Sequence, residues 1–400
     1  MQSSIQNHLE KKIKILIVTT VPETLHTILR DQPKHLADFF DIQLVTSPDP
    51  VCVDIERVEG VPVHKITMSR GISPLLDLIS IFRMWLLFLS HRPNIVHSYT
   101  PKAGLIAMIA AWITFIPIRV HTFTGLIFPT QKGWKKKLLI NVDRLICGCA
   151  TTIVPEGLGI KRDLLNNKIT KKRLEIIGNG NIAGVDISFF DPDAPCVLTS
   201  AHSLRDKLNL ASHDNFVFCF IGRLNKDKGI SELLAAFRLL PENAHLLVVG
   251  KIDETSPIST TEIESLDTHP RIHHIGFQSD IRAALKLASI VVLPSYREGF
   301  PNVLLQAGAM RVPAIATDIN GSNEIISNDF NGWLIPPKNY ESLANAMKQA
   351  LEKPKFELER MGRNARENII KNFDRKIYWQ KLRAFYTNLL NASYNDETRP

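Results

Sequence analysis

Short apolar runs rich in β-branched residues alternate along the chain with longer amphipathic stretches. In the first half, Ile13–Thr19, Ile42–Thr46, Asn94–His97, Arg119–Phe123 and Thr151–Val154 read as strands. Between them, Gln32–Phe40, Pro74–Ser90, Ala103–Phe115, Trp134–Cys149 and Ile160–Asn166 carry a helical pattern. Such alternation predicts parallel strands joined by helical crossovers. The passage Gly178–Pro195 (GNGNIAGVDISFFDPDAP) is dense in Gly, Asn, Asp and Pro and breaks any regular element. The alternation then restarts, with strands at Phe216–Ile221, His245–Val249, Arg271–Ile275, Ile290–Leu293, Ala314–Thr317 and Gly332–Ile335. Helices are expected at Ile230–Leu240, Ile281–Leu287 and Val303–Met310, with a turn or short helix at Glu324–Ile326. Two helices, Ser342–Leu351 and Asp374–Leu390, close the chain.

The pattern predicts an α/β protein made of two Rossmann-like doubly wound domains facing a central cleft. Residues 1–180 form the first and 181–372 the second, and 373–400 form a helix packing back toward the N-terminal domain. Ligands in such sheets bind beyond the carboxyl ends of the strands, so the site is expected in the cleft. A chain of 400 residues is long enough for two ordinary domains.

Charge changes the picture. Residues 1–180 hold 23 Lys and Arg against 14 Asp and Glu, a net of +9, whereas residues 181–400 hold 25 against 26, a net of −1. The basic excess of the first half points to a polyanionic partner. Regular aromatic interleaving is missing there, which argues against nucleic acid and leaves an anionic membrane surface. The run Trp134-Lys135-Lys136-Lys137-Leu138-Leu139-Ile140 and the apolar stretch Leu75–Leu89 suit an interfacial contact. Both also fit buried crossover helices beside a solvated lysine run. Ala103–Ile118 falls short of the ~20 residues of a spanning helix, and the Leu75–Leu89 region carries Asp77 and Arg83, so no span is expected. The start, MQSSIQNHLEKKIKILIV, lacks a signal-peptide pattern. Five cysteines in no zinc or disulfide spacing fit a reduced, cytoplasmic setting, peripheral on the inner face of the membrane.

Two segments carry candidate chemistry. In the first, a strand ends at Gly222-Arg223, and Lys228-Gly229 opens a helix. Arg223 offers a planar fork and Lys228 a point charge to phosphate oxygens, beside a helix N-terminus. In the second, Pro294-Ser295-Tyr296-Arg297-Glu298-Gly299-Phe300-Pro301-Asn302-Val303 runs from a strand into a helix, with Glu298 at the strand's carboxyl end. Backbone N–H groups at Phe300, Asn302 and Val303 face the helix start. In the first half, His97 ends a strand at the ligand edge, and Thr100-Pro101-Lys102 starts the next helix as a candidate anion site. A structural role for His97 is the competing reading.

Together these segments resemble the retaining glycosyltransferases of family 4, which have the GT-B fold. The resemblance continues through Gly308–Met310, Pro313, Asp318–Glu324 and Asn331-Gly332, the linker segments Gly178–Gly180, Gly184–Asp186 and Phe190–Pro192, and Ile95–Gly104. It is similar in kind to bacterial enzymes that extend lipid-linked sugars for capsule, O-antigen or protein glycans. The resemblance implies transfer of a sugar from a nucleotide donor, UDP-linked, to a polyprenyl-diphosphate-linked saccharide. It implies that Arg223 and Lys228 bind the donor diphosphate and stabilise the leaving UDP, with Gly222 letting the ligand approach. It also implies that Glu298 holds donor-sugar hydroxyls, that the Gly299–Val303 turn presents backbone amides, and that position 306 binds the ribose.

The sequence departs from the family at three places. Gln306 stands where the signature has its second Glu, and Thr124, before Gly125, stands where the family often has a His. The first loop, Thr19–Glu23, lacks the glycines of many relatives. The resemblance implies no cofactor and no metal. Asp191-Pro192-Asp193 matches the Asp-x-Asp pattern of metal-dependent sugar transferases but falls in the linker, away from any strand end. A sugar-nucleotide 2-epimerase and a non-catalytic nucleotide-sugar-binding relative are the alternatives.

Overall fold

The structure is a computed structural model that describes residues 12–397 other than positions 70, 72, 211–214 and 255. The N-terminal eleven residues, read above for a signal pattern, lie outside the described residues. The chain divides into two compact units: residues 1–183 with 376–400, and residues 184–375.

Unit 1 is built on six strands, β1 (Lys14–Val18), β2 (Asp41–Thr46), β3 (Val63–Lys65), β4 (Ile95–Tyr99), β5 (Ile118–Phe123) and β6 (Thr152–Pro155), in the order β3-β2-β1-β4-β5-β6. All pairings are parallel. The strand alternation sorts β1 to two cores. Leu16 and Val18 pack with helices Pro74–His91, Pro101–Ile113 and Gly133–Cys149. Ile15 and Ile17 share the opposite core with Tyr378, Trp379, Leu382 and Tyr386 of the C-terminal helix Arg375–Glu397. The spacing of those four residues keeps them on one helix face.

Unit 2 repeats the design with β7 (Phe216–Ile221), β8 (Ala244–Val249), β9 (Ile272–His274), β10 (Ile290–Leu293), β11 (Ala314–Thr317) and β12 (Gly332–Ile335). Their order is β12-β11-β10-β7-β8-β9, again all parallel. In each sheet the strand order reverses at one place, between β1 and β4 in unit 1 and between β7 and β10 in unit 2. A crevice opens at such a reversal, beyond the strands' carboxyl ends.

Several elements depart from the sequence reading. Helices Val51–Glu59, Pro195–Lys207, Thr260–Thr268 and Lys355–Asn372 and strand β3 were not anticipated. Three helices follow β12 rather than two: Tyr340–Glu352, Lys355–Asn372 and Arg375–Glu397. The segment expected as Pro74–Ser90 is an 18-residue helix ending at His91, and it is long and apolar enough by composition to cross a membrane, with 22% of it buried.

Candidate active site

Unit 2 brings the two signature segments together at its switch point. β7 ends at Gly222-Arg223 and its neighbour β10 ends at Pro294. Between Arg223 and helix Ile230–Phe237, a 3-10 turn, Lys226–Lys228, is capped by the Asn225 carboxamide oxygen, which accepts from the Lys228 N–H at 3.2 Å. Gly229 follows with φ +69, and a side chain there would collide with the Pro294 carbonyl. Glycine therefore lets the turn press on the end of β10. The two loops are stitched by the Tyr296 N–H, donating to the Asp227 carbonyl at 2.8 Å, and by an Arg297–Asp227 ion pair at 2.8 Å. The Tyr296 hydroxyl donates to Glu232 at 2.7 Å.

This geometry places the Lys228 ammonium 2.5 Å from Glu298 Oε1, with side-chain exposures of 21% and 13%. Arg223 stands at the start of the same loop, just after β7. Its guanidinium donates to Asp253 at 2.9 Å while 65% of its side chain stays exposed, and Asn225 donates to the same carboxylate oxygen at 3.1 Å. Asp253 thus aims a guanidinium that keeps most of its donors open.

Gly299 and the buried Phe300 lead through Pro301 into helix Asn302–Ala309. Leu304, Leu305, Ala307 and Ala309 of that helix are buried, whereas Asn302, Val303 and Gln306 are half-buried and share the face left open. Its N-cap residue, Pro301, makes no side-chain capping bond. Gly321, at φ +79, sits against the Gly299 carbonyl and Pro301, so the Asp318–Glu324 loop braces the turn from behind.

The expected site residues of the first half all fall in unit 1. Thr124 and Gly125 follow β5 and are half-buried. Lys102 is not an open anion ligand, because its ammonium binds both oxygens of the buried Asp77 at 2.7 and 2.8 Å. His97 departs from its expected place at the ligand edge. It is fully buried in β4, with Nδ1 bonded to the Tyr386 hydroxyl and Nε2 to the Thr122 hydroxyl, both at 2.7 Å. Burial lowers its pKa to about 3 and keeps it neutral. Its role is to tie the C-terminal helix to the sheet.

At the switch point of unit 1, Thr20 and Thr100 share a 2.6 Å hydroxyl contact, and Thr100 takes φ 74, an uncommon backbone for a β-branched residue. Sequence reasoning missed Thr20 and Asp253. Asp253 carries a signal: an acid shortly after Gly250, at the carboxyl end of β8. Both acids of the Asp-x-Asp match serve unit 2 structurally. Asp193 pairs with Arg311 at 2.8 Å, and Asp191 lies 4.0 Å from Arg366.

Two serial doubly wound sheets, the second with cations and a carboxylate at its switch point, define a nucleotide-sugar transferase architecture, GT-B. Comparison with known proteins gives the family. The model "Glycosyl transferases group 1" matches residues 203–368, and "Glycosyl transferase 4-like domain" matches 25–180. The capsular polysaccharide biosynthesis glycosyltransferase CapM of Staphylococcus aureus is 30% identical over 96% of this chain and 99% of its own. An Escherichia coli UDP-Gal:alpha-D-GlcNAc-diphosphoundecaprenol alpha-1,3-galactosyltransferase is 26% identical, over 88% of this chain and 90% of its own. The fold matches Anabaena HepE in complex with UDP-glucose, with a TM-score of 0.78 at 21% identity, covering 94% of this chain and all of that one. The chain belongs to the GT-B glycosyltransferase family that includes CapM, and it is a glycosyltransferase.

Proposed function

We propose that this enzyme moves a sugar, with retention of its anomeric configuration, from a UDP donor to a polyprenyl-diphosphate-linked saccharide in surface-polysaccharide biosynthesis. The observation that carries the reading is the meeting of Lys228 and Glu298 at the unit 2 switch point, with Arg223 beside them. Two relatives support the acceptor class: the E. coli galactosyltransferase and a Campylobacter jejuni enzyme, 24% identical over 89% of this chain, whose names specify undecaprenol-diphosphate-linked sugars.

In this reading the diphosphate lies against Arg223 and Lys228, and the sugar hydroxyls bond to Glu298 and to the backbone of the Gly299–Val303 turn. The bond from sugar C1 to the diphosphate oxygen breaks. The acceptor oxygen bonds to C1 from the same face, and its proton passes to the departing phosphate oxygen. Negative charge grows on the leaving group, and preorganised cations stabilise it more in the transition state than in the ground state. Gln306 holds the ribose hydroxyls, donating and accepting through its amide. The enzyme works at the inner face of the cytoplasmic membrane, where its basic first half meets anionic lipid.

A panel of UDP-sugars incubated with a lipid-diphosphate-linked sugar tests the proposal. A product with one added sugar in the donor's anomeric configuration supports it. Release of a free epimerised nucleotide sugar without acceptor, or an inverted linkage, overturns it.

A further inference from the structure

Helix Pro74–His91 is packed on one side only. Asp77, Ser80, Met84 and Phe88 are buried. On the other side Leu75, Leu78, Ile79, Phe82, Leu86 and Leu89 form a stripe at i, i+3, i+4, i+7, i+11 and i+14, each between 45% and 78% exposed. The helix is eighteen residues and about 27 Å long, and the stripe from Leu75 to Leu89 covers about 21 Å of it. Scattered exposed leucines need no explanation, but a continuous apolar face does.

The charge around it is one-sided. Across the 65 residues from 78 to 142 there is no Asp or Glu, while eight are Lys or Arg. The acids that bound this stretch, Asp77 and Asp143, are both buried. Helix Gly133–Cys149 packs against the same central helix, Pro101–Ile113, as does Pro74–His91. It opens with Trp134, 68% exposed, with the Lys135 ammonium 6.0 Å from its ring.

We infer that helix Pro74–His91 lies in the plane of an anionic lipid surface, its leucine–phenylalanine stripe sunk among the acyl chains and the neighbouring lysines on the headgroups. This deepens the membrane reading proposed above by naming the element that inserts. Spanning is inconsistent with the way the helix is held. It joins β3 to β4 of one sheet, the Lys102 ammonium grips Asp77, and Ser80 donates to the Thr67 carbonyl at 2.6 Å. A second copy is a poor occupant, because a symmetric contact would set the same acid-free, basic faces against each other.

The test uses the full chain with vesicles containing about 30% phosphatidylglycerol in phosphatidylcholine. The double variant Leu78→Asp/Phe82→Asp should partition at least about tenfold less than wild type while keeping its circular dichroism and melting temperature. In a Cys196→Ser background, which removes the exposed thiol, Leu75→Cys, Phe82→Cys and Leu89→Cys carrying an environment-sensitive dye should all shift to the blue on vesicles. All three should be quenched best by shallow spin-labelled lipid. Unchanged partitioning of the double variant overturns the inference. So does a dye at Phe82 quenched from the bilayer centre with Leu75 and Leu89 near opposite surfaces, or lipid-free dimers that the double variant dissociates. Transfer to a short-chain, water-soluble acceptor should be equal in wild type and double variant. Wild type that binds vesicles as described but glycosylates no lipid-diphosphate acceptor would overturn the functional proposal and leave this surface standing.

Discussion

Lys228 and Glu298, seventy residues apart in sequence, are joined by a 2.5 Å ion pair at the unit 2 switch point. In the proposed mechanism the carboxylate competes with the donor diphosphate for this ammonium and turns to the sugar hydroxyls when the donor binds. Glu298→Gln should bind UDP at least as tightly as wild type, because the competitor is gone. Its transfer rate should fall by about 10²–10³, because a charged partner for the sugar hydroxyls is lost. Lys228→Ala should lower kcat/KM by about 2–4 kcal/mol. Calorimetry with UDP beside steady-state kinetics reads both. Near-normal turnover in either variant would remove the pair from the chemistry.

Arg223 and Asp253 make a second pair with a different division of labour. Arg223→Ala should cost about 2–4 kcal/mol in kcat/KM. Asp253→Asn removes the anchor and keeps the guanidinium, so the loss should be smaller and should lie mainly in KM for the donor. Equal losses in the two variants would mean that Asp253 touches the substrate itself.

The strands and their grouping were legible because parallel strands buried on both faces write continuous apolar runs. The helix Lys355–Asn372 was not, because its buried face is only Met361, Gly362, Ala365 and Ile369 among many charges. Helix Thr260–Thr268 did carry a readable start, the Ser259–Glu262 capping box, but few apolar residues follow it. The two signature segments were recognisable as motifs. Their junction depends on Gly229 tolerating the Pro294 carbonyl, which only the fold reveals. His97 was misplaced for a similar reason: its partner Tyr386 lies 289 residues away, and no local pattern announces it.

Activity should survive removal of divalent cations. In the proposed mechanism Arg223 and Lys228 bring two positive charges to the diphosphate, and the carboxylates of Asp191 and Asp193 are directed to Arg366 and Arg311. Assays with and without EDTA should agree within about twofold, since the leaving-group charge is met by side chains. Loss of activity restored by Mg²⁺ or Mn²⁺ would contradict this account.

Gln306→Glu should fold and should bind UDP as tightly as wild type or more so. The residue sits on the open, half-buried face of helix Asn302–Ala309, beside Asn302 and Val303, so the isosteric change disturbs no core contact. A carboxylate accepts from two ribose hydroxyls more strongly than an amide does, which should give up to about tenfold in Kd. Calorimetric titration with UDP decides. A variant that loses UDP binding would place the ribose elsewhere.

Asp143 supplies a pH test. It is buried on helix Gly133–Cys149, and desolvation raises its pKa from 3.8 to about 7. Between those values the folded chain holds a proton that the unfolded chain has lost. This contribution is therefore full below about pH 4 and is lost as the pH rises through 7. The buried histidines act in the opposite sense. His97 and His121 are lowered from 6.5 to about 3, so their contribution is present above 6.5 and is lost as the pH falls toward 3. Asp143→Asn removes the first effect and leaves the second. Near pH 4 the variant and wild type should unfold at the same urea concentration, because Asp143 is neutral in the folded protein there. At pH 8 the variant should be more stable by about 2–4 kcal/mol, since each pKa unit is worth 1.36 kcal/mol. Urea unfolding followed by circular dichroism across this range measures the difference. A variant whose advantage does not grow with pH would show that Asp143 is already ionised in the native state at neutral pH.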